Sequence, residues 1–225
     1  MKLSENTINV LKNFSSINQS LLFKQGNLLR TISPLKTVYV EARVEEDFPQ
    51  DFAIYDLNKF LAKLSLYKDA ELSYGTDKVN FATKDSKRKD YIKFSSPKVI
   101  TTPPDKGITL GEVAVEFTLS ESDLEWMKKS AGISGSPNFI FESDGSKIYF
   151  VATDIKDDAA DESRGEIGEG NGSVFKVVMK VDNFKMINGA YDVSIAKKGL
   201  AKFKHQSIDL NYFIAIEASA STFGE

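Results

Sequence analysis

Leu3-Ser4-Glu5 returns as Leu119-Ser120-Glu121, and that recurrence constrains the chain more than any other feature of its sequence. Ser120 stands 116 positions after Ser4, and Met127-Lys128 over Leu11-Lys12 and Phe139 over Phe23 keep the same shift of 116. Further on, Gly145 answers Gly26, Phe150-Val151-Ala152 answers Tyr39-Val40-Glu41-Ala42, and Val181-Asp182-Asn183-Phe184 answers Leu57-Asn58-Lys59-Phe60. A helix, strands, helix, strands order that occurs twice predicts two similar halves of α+β type.

Local patterns fill in that order. Ser4 and Asp56 are residues whose side chains accept hydrogen bonds from the free N–H groups of a first helical turn. Apolar residues then follow at helical spacing: Ile8, Leu11 and Phe14 in a helix over about 4–15, and Leu57, Phe60, Leu61 and Leu64 in a second. The same reasoning predicts a third helix over Ser120–Ala131, with Leu124, Met127 and Ala131 inward, and a fourth over about Val181–Asn188, burying Val181, Phe184 and Ile187. Short β-prone runs such as Val38-Tyr39-Val40, Val79-Asn80-Phe81 and Tyr212-Phe213-Ile214 lie between turn residues and predict strands. Residues 95–111 hold half of the six prolines. Proline cannot donate to a central ladder, so the expected layout is a domain at 1–96, a linker at 97–111 and a domain at 112–225.

One segment departs from the repeat. Residues 154–173 carry seven acids, Asp154, Asp157, Asp158, Asp161, Glu162, Glu166 and Glu169, against Lys156 and Arg164, with four glycines. The expectation is a mobile, solubilising acidic loop inserted into the second half.

The composition excludes several function classes. The 225 residues, 41% of them hydrophobic, suffice for one sizeable core or two small ones. A net charge of −3 excludes a generic basic coat for nucleic acid. The absence of cysteine removes disulfides, thiolate metal sites and Cys nucleophiles, and favours a reducing, cytoplasmic setting. No apolar run approaches the roughly 20 residues of a membrane span, so no membrane association is expected. His205, the single histidine, sits in a charged stretch between strands and is expected on the surface without a catalytic role. Gly168-Glu169-Gly170-Asn171-Gly172 lacks the preceding strand, the following helix and the Lys-Ser/Thr pair of a phosphate loop. No active site, metal site or cofactor is expected.

The polar faces of the four expected helices carry lysines: Lys12 on the first, Lys59 and Lys63 on the second, Lys128 and Lys129 on the third, and Lys185 on the fourth. Acids fall mostly in strands, turns and the 154–173 segment. One lysine-bearing helix face is ordinarily just solvated, but four repeats suggest a shared anionic partner.

Extended stretches of the chain resemble the DNA polymerase processivity clamps of T-even-type bacteriophages, themselves similar in fold to proliferating cell nuclear antigen. The resemblance is carried by Met1-Lys2-Leu3-Ser4, Leu11-Lys12-Asn13-Phe14-Ser15-Ser16-Ile17-Asn18, Gln25-Gly26, Ile54-Tyr55-Asp56-Leu57-Asn58-Lys59-Phe60-Leu61, Leu64-Ser65-Leu66 and Tyr212-Phe213-Ile214-Ala215-Ile216-Glu217-Ala218. It implies the DNA clamp fold, with two helices on antiparallel sheets per domain and three subunits closing head to tail into a ring. It further implies a non-enzymatic sliding clamp in the infected host cytoplasm, with double-stranded DNA, a DNA polymerase and a clamp loader as partners. The six lysines would then face DNA. Val99, Ile100, Ile108 and Leu110 would supply a partner-docking surface beside the linker. Two rival readings are a non-enzymatic phage structural or adhesin-like β-rich protein and a metal-dependent nuclease built on Asp157 and Asp158.

Overall fold

The computed structural model describes residues 1–84 and 87–224, which form two compact units meeting in sequence at Gly107 and Ile108. In the first, α1 (Glu5–Ile17) is followed by β1 (Leu21–Phe23), β2 (Gly26–Ile32), β3 (Val38–Phe48), β4 (Phe52–Ile54), α2 (Leu57–Ser65), β5 (Glu71–Tyr74), β6 (Lys78–Ala82) and β7 (Asp90–Lys93). Ser4 starts α1 as expected, its hydroxyl accepting from the Thr7 N–H at 3.2 Å. The Glu46 carboxylate from β3 also holds the Ser4 N–H and the Thr7 hydroxyl. Val10, Leu11, Phe14 and Ile17 form its buried stripe. Asn18 ends it: its backbone N–H reaches the Phe14 carbonyl at 2.8 Å, and its side chain donates to the carbonyls of Ile32 and Thr101 at 2.9 and 3.1 Å. One buried amide thereby ties a helix end, a strand end and the linker together.

The strands of this unit are antiparallel: β1 with β4, β2 with β3, and β5-β6-β7 in that order, leaving β7 as an edge. Stacked Phe23 and Phe52, 4.4 Å apart, and the edge-on pair Phe60 and Phe81, 5.3 Å apart, join β1, β4, α2 and β6 into one core. Inside the linker, Pro97–Val99 makes a 3-10 turn, and the Arg30 guanidinium holds the carbonyls of Pro104 and Asp105 at 3.3 and 2.8 Å.

The second unit runs β8 (Val113–Leu119), α3 (Glu121–Ser134), β9 (Asn138–Asp144), β10 (Lys147–Thr153), β11 (Ser163–Glu169), β12 (Val174–Lys180), β13 (Tyr191–Ala196), β14 (Leu200–His205), β15 (Leu210–Ala215) and β16 (Thr222–Phe223). From its helix onward it repeats the element order of the first, with α3 starting 116 residues after α1. β11-β10-β9-β12-β16 form one antiparallel sheet, with β11 as an edge, and β8 pairs with β13, β13 with β14 and β14 with β15. Phe139, Phe141, Phe150, Phe184 and Phe203 form an aromatic core between the two sheets. Even the strand before α3 has a counterpart, because Met1 and Leu72 of β5 exchange N–H to carbonyl bonds at 2.8 and 2.7 Å.

Three expectations change. The fourth helix is a single 3-10 turn, Val181–Asn183, so the chain has three α-helices among its described residues. Lys180, at its N-cap, provides no side-chain hydrogen bond. Beyond the turn the chain follows no regular element: Phe184 and Met186 are buried and Lys185 between them is exposed, an alternation that a helix does not give. The backbone there is satisfied by tyrosines: the Tyr212 hydroxyl accepts from the Ile187 N–H at 3.0 Å and the Tyr191 hydroxyl donates to the Ile187 carbonyl.

The acidic segment, expected as a loop, contains strand β11, paired with β10 from Ala152↔Ser163 to Lys147↔Glu169. The Lys147 ammonium bridges Glu166 and Glu169 at 2.9 and 2.6 Å, the Arg164 guanidinium lies 4.0 Å over the Tyr149 ring and bonds Glu142, and Gly165 lies beside the Trp126 ring. β11 holds the place that β3 holds in the first half. The strand that answers β3 is therefore β11, and Phe150-Val151-Ala152 on β10 answers β2 instead. Gly170 is needed because a Cβ there would come within 2.4 Å of the Gly145 carbonyl.

His205 is buried, 7% exposed, rather than on the surface. Its Nδ1 accepts from the Ser207 N–H at 3.0 Å, its Nε2 lies 3.2 Å from the Asn188 carbonyl, and the Tyr191 ring meets it edge-on. These contacts make it a structural side chain. β14 alternates inward at Ala201, Phe203 and His205, so period two places the ring inside despite its charged neighbours.

Candidate nucleic-acid interface

Each helix buries its apolar stripe and thereby orients its polar face. On α1 the face opposite Val10, Leu11 and Phe14 presents Asn9, Lys12 and Ser16, all exposed. α2 adjoins it, since the Leu57 N–H bonds the Gln19 carbonyl at 2.7 Å. The Asp56 carboxylate caps α2 by accepting from the Lys59 N–H at 2.9 Å, and with Leu57, Phe60 and Leu64 buried, Asn58, Lys59 and Ala62 project outward. Lys63 is half-buried, and its ammonium is bonded to Asp90 on β7. The Tyr67 hydroxyl donates to the same carboxylate at 2.9 Å, and the two partners, Lys63 foremost, hold the Asp90 carboxyl below its ordinary range. Lys63 thus ties α2 to β7, while Lys12 and Lys59 stand clear.

The α3 face is different. Ser120 caps it through the Asp123 N–H at 3.1 Å, and Gly135, at φ +65°, ends it. Glu121, Asp123 and Glu125 load its first two turns with negative charge, which suits the helix dipole. Lys129 is exposed and paired with Glu125 at 3.3 Å. Lys128 is half-buried beside the Met186 carbonyl, and burial lowers its pKa against the opposing pull of Glu125. Lys185 is exposed in the segment after the 3-10 turn, not on a helix. The six lysines therefore divide: Lys12, Lys59, Lys129 and Lys185 are exposed, and Lys63 and Lys128 are partly buried and engaged.

The sequence patterns missed a second cationic feature. A concavity of about 730 Å³ between α2 and β7 is lined by Tyr55, Lys59, Lys63, Lys89, Tyr91 and Lys93, with Asp56 and Asp90. Tyr55 and Tyr91 are 60% and 52% exposed, large values for aromatic side chains. The run Lys87-Arg88-Lys89 signalled it, but read as a turn it gave no face or neighbour. Among the linker residues expected to dock partners, Val99 is 62% exposed, while Ile100, Ile108 and Leu110 are half-buried. Among the described residues no three His, Cys, Asp or Glu side chains group closely enough to hold a metal ion, and Asp157 and Asp158 stand exposed in a turn.

Two similar units, each with a capped helix over antiparallel sheets, define the clamp architecture. Proliferating cell nuclear antigen from Entamoeba histolytica shares that fold at a TM-score of 0.68 and 11% identity, over 94% of both chains. The family described as DNA polymerase processivity factor matches residues 2–101, and the one described as gp45 sliding clamp, C terminal, matches residues 116–218. The sliding clamp of Vibrio phage KVP40 is 32% identical over 97% of this chain and 100% of its own length, and that of Escherichia phage RB69 is 32% identical over 98% and 99%. The chain belongs to the phage sliding-clamp family of DNA polymerase processivity factors.

Proposed function

We propose that the chain is one subunit of a homotrimeric ring that encircles duplex DNA and tethers the replicative polymerase, without catalysing a reaction itself. The observation that carries this reading is the end-to-end match to two phage sliding clamps, with each half matched by its own clamp family. The two clamp domains, 1–96 and 112–225, flank the linker 97–111. Each unit supports ring closure by ending one sheet in an open edge, β7 in the first and β11 in the second. Edges on unlike units make a heterologous contact, the kind that closes rings.

Inside the ring, Lys12 and Lys59 face phosphates, with Lys129 and Lys185 contributing from the second domain and Lys63 and Lys128 adding charge from behind. Such contacts neutralise the backbone without reading bases, so binding is sequence-independent and permits sliding. Processivity then comes from topological tethering and high effective concentration of the polymerase. A clamp loader opens and closes the ring, and loader and polymerase dock apolar peptide tails at Val99, Ile100, Ile108 and Leu110.

Light scattering tests the assembly: three chains of 25.0 kDa are expected in one particle, and a monomer at high micromolar concentration would refute it. Loading on circular DNA followed by linearisation tests encirclement, because a ring slides off the cut ends while a surface binder stays. Lys12→Glu with Lys59→Glu is expected to lower loading on DNA and polymerase stimulation, most strongly above about 0.1 M salt, where the Debye length is about 10 Å, leaving the trimer mass unchanged.

A further inference from the structure

Asparagine is followed by glycine twice in the chain, at Asn171-Gly172 and at Asn188-Gly189. Such a pair is open to attack of the glycine nitrogen on the asparagine side chain, because no Cβ shields that nitrogen and glycine adopts backbone angles closed to other residues. The two pairs stand in opposite settings. At Asn171 both reacting groups are held: the Gly172 N–H donates to the Gly145 carbonyl at 2.9 Å, and the Asn171 side-chain oxygen accepts from the Ser173 N–H at 3.1 Å. At Asn188, exposed in a bend outside any helix or strand, the Gly189 N–H has no hydrogen-bond partner among the described residues.

The same peptide unit is polarised from its other side. The Asn188 carbonyl lies 3.2 Å from Nε2 of His205, and Nδ1 of that ring accepts from the Ser207 N–H. With Nδ1 accepting, the proton of the neutral imidazole is on Nε2 and is donated to the carbonyl. A donor on the carbonyl draws electron density from the peptide and makes its N–H more acidic. Gly189 is also fixed in place: at φ +147°, a Cβ there would come within 2.2 Å of Nε2. The fold thus requires the susceptible pair and leaves its nitrogen open.

We infer that Asn188 is a site of spontaneous succinimide formation and deamidation, a covalent ageing step built into the second unit. The Gly189 nitrogen gives its proton to solvent base and forms a bond to Cγ of Asn188. The Cγ–Nδ2 bond breaks, and Nδ2 takes up a proton and leaves as ammonia. Water then opens the cyclic imide at either carbonyl, giving aspartate or isoaspartate, with nothing oxidised or reduced. The consequence is electrostatic. Nδ2 of Asn188 donates to Glu125 of α3 at 2.9 Å, and Glu125 also pairs with Lys129. After the step one carboxylate faces another, so a bond between α3 and the segment after the 3-10 turn becomes a like-charge contact. A further consequence rests on the ring reading, as the covalent step does not: the added charge opposes the DNA contacts of Lys129 and Lys185.

Peptide mapping by mass spectrometry of the full folded chain, incubated at neutral pH and physiological temperature, decides the matter. Asn188 is expected to convert at least about fivefold faster than Asn171, whose glycine nitrogen must first give up a hydrogen bond. Incubation in denaturant is expected to remove the difference, since both are then unstructured Asn-Gly pairs. Asn188→Asp is expected to lower Tm by about 1–4 °C and so to reproduce the aged protein, while Asn188→Gln, which keeps an amide, is expected to stay unmodified there. Faster conversion at Asn171, equal rates in the folded chain, or an Asn188 that stays intact while denatured chain converts would overturn the inference. Conversion at Asn188 with DNA retention unchanged in Asn188→Asp would uphold the ageing step and count against the DNA-facing placement of Lys129 and Lys185.

Discussion

Leu57–Phe60 and Val181–Phe184 occupy matching places in the two halves and share an apolar residue at each end, yet the first opens helix α2 and the second makes one 3-10 turn and then runs on without a regular element. The contrast shows what an apolar spacing needs before it becomes a helix. Asp56 offers a carboxylate to the first free N–H groups, and nine residues follow without glycine or proline. Lys180 offers nothing, and Gly189 closes the window after eight residues. A helix that short cannot recover its nucleation free energy alone. The hydroxyls of Tyr191 and Tyr212 then supply the backbone partners that helical bonds would have supplied.

The largest test of this comparison is Phe184→Ala. Phe184 packs edge-on against Phe139 and Phe203 in the core of its unit. The loss expected from denaturant unfolding is about 3–5 kcal/mol, the same as for Phe60→Ala. A loss of Phe184 under about 1.5 kcal/mol would mean that the segment after the turn does not hold the core.

Tyr212→Phe and Tyr191→Phe are next. Each leaves a peptide group at Ile187 without its partner, at about 1–2 kcal/mol. Burial is the leading reason that both phenols sit far above their ordinary pKa. A folded pKa above the unfolded one means the folded protein keeps the proton longer. Their contribution is therefore complete below the unfolded value of about pH 10 and is lost as pH rises beyond it. Absorbance titration is expected to show these two ionising only with unfolding, and the Phe variants are expected to flatten the alkaline limb of the stability curve.

Smaller effects separate the caps. Asp56→Ala is expected to remove about 1 kcal/mol, and Lys180→Ala less than about 0.5, since only the first residue bonds a helix N–H. Equal losses would erase the distinction between the two segments. The smallest effect distinguishes the α3 lysines: Lys128→Met is expected to raise Tm by about 1–3 °C by removing a half-buried charge, and Lys129→Met to leave it unchanged.

The same contrast accounts for which lysine directions the sequence gives. The outward direction of Lys12 and Lys59 was legible because each lies opposite a capped, amphipathic stripe, and periodicity alone fixes a side chain's direction there. Lys63 shares the pattern but is turned to a strand partner 27 residues away, which no spacing announces. Lys185 depended on a helix that does not form. β11 was hidden by composition, because acids and glycines read as solvated loop until Lys147, Tyr149 and Trp126 stand beside them.

What the sequence determined by itself was the local and the repeated: three capped helices, the two-part order, the 116-residue shift and the family. Those depend on contacts within a few residues, or on likeness between stretches of chain. Only the tertiary structure decided the 3-10 turn at Val181, the burial of His205, the strand at Ser163–Glu169 and the engagement of Lys63. In each case a partner remote in sequence joins the local ones, Tyr212, Asn188, Lys147 and Asp90 in turn, and the interactions it adds exceed a local preference of about 1 kcal/mol or less per residue.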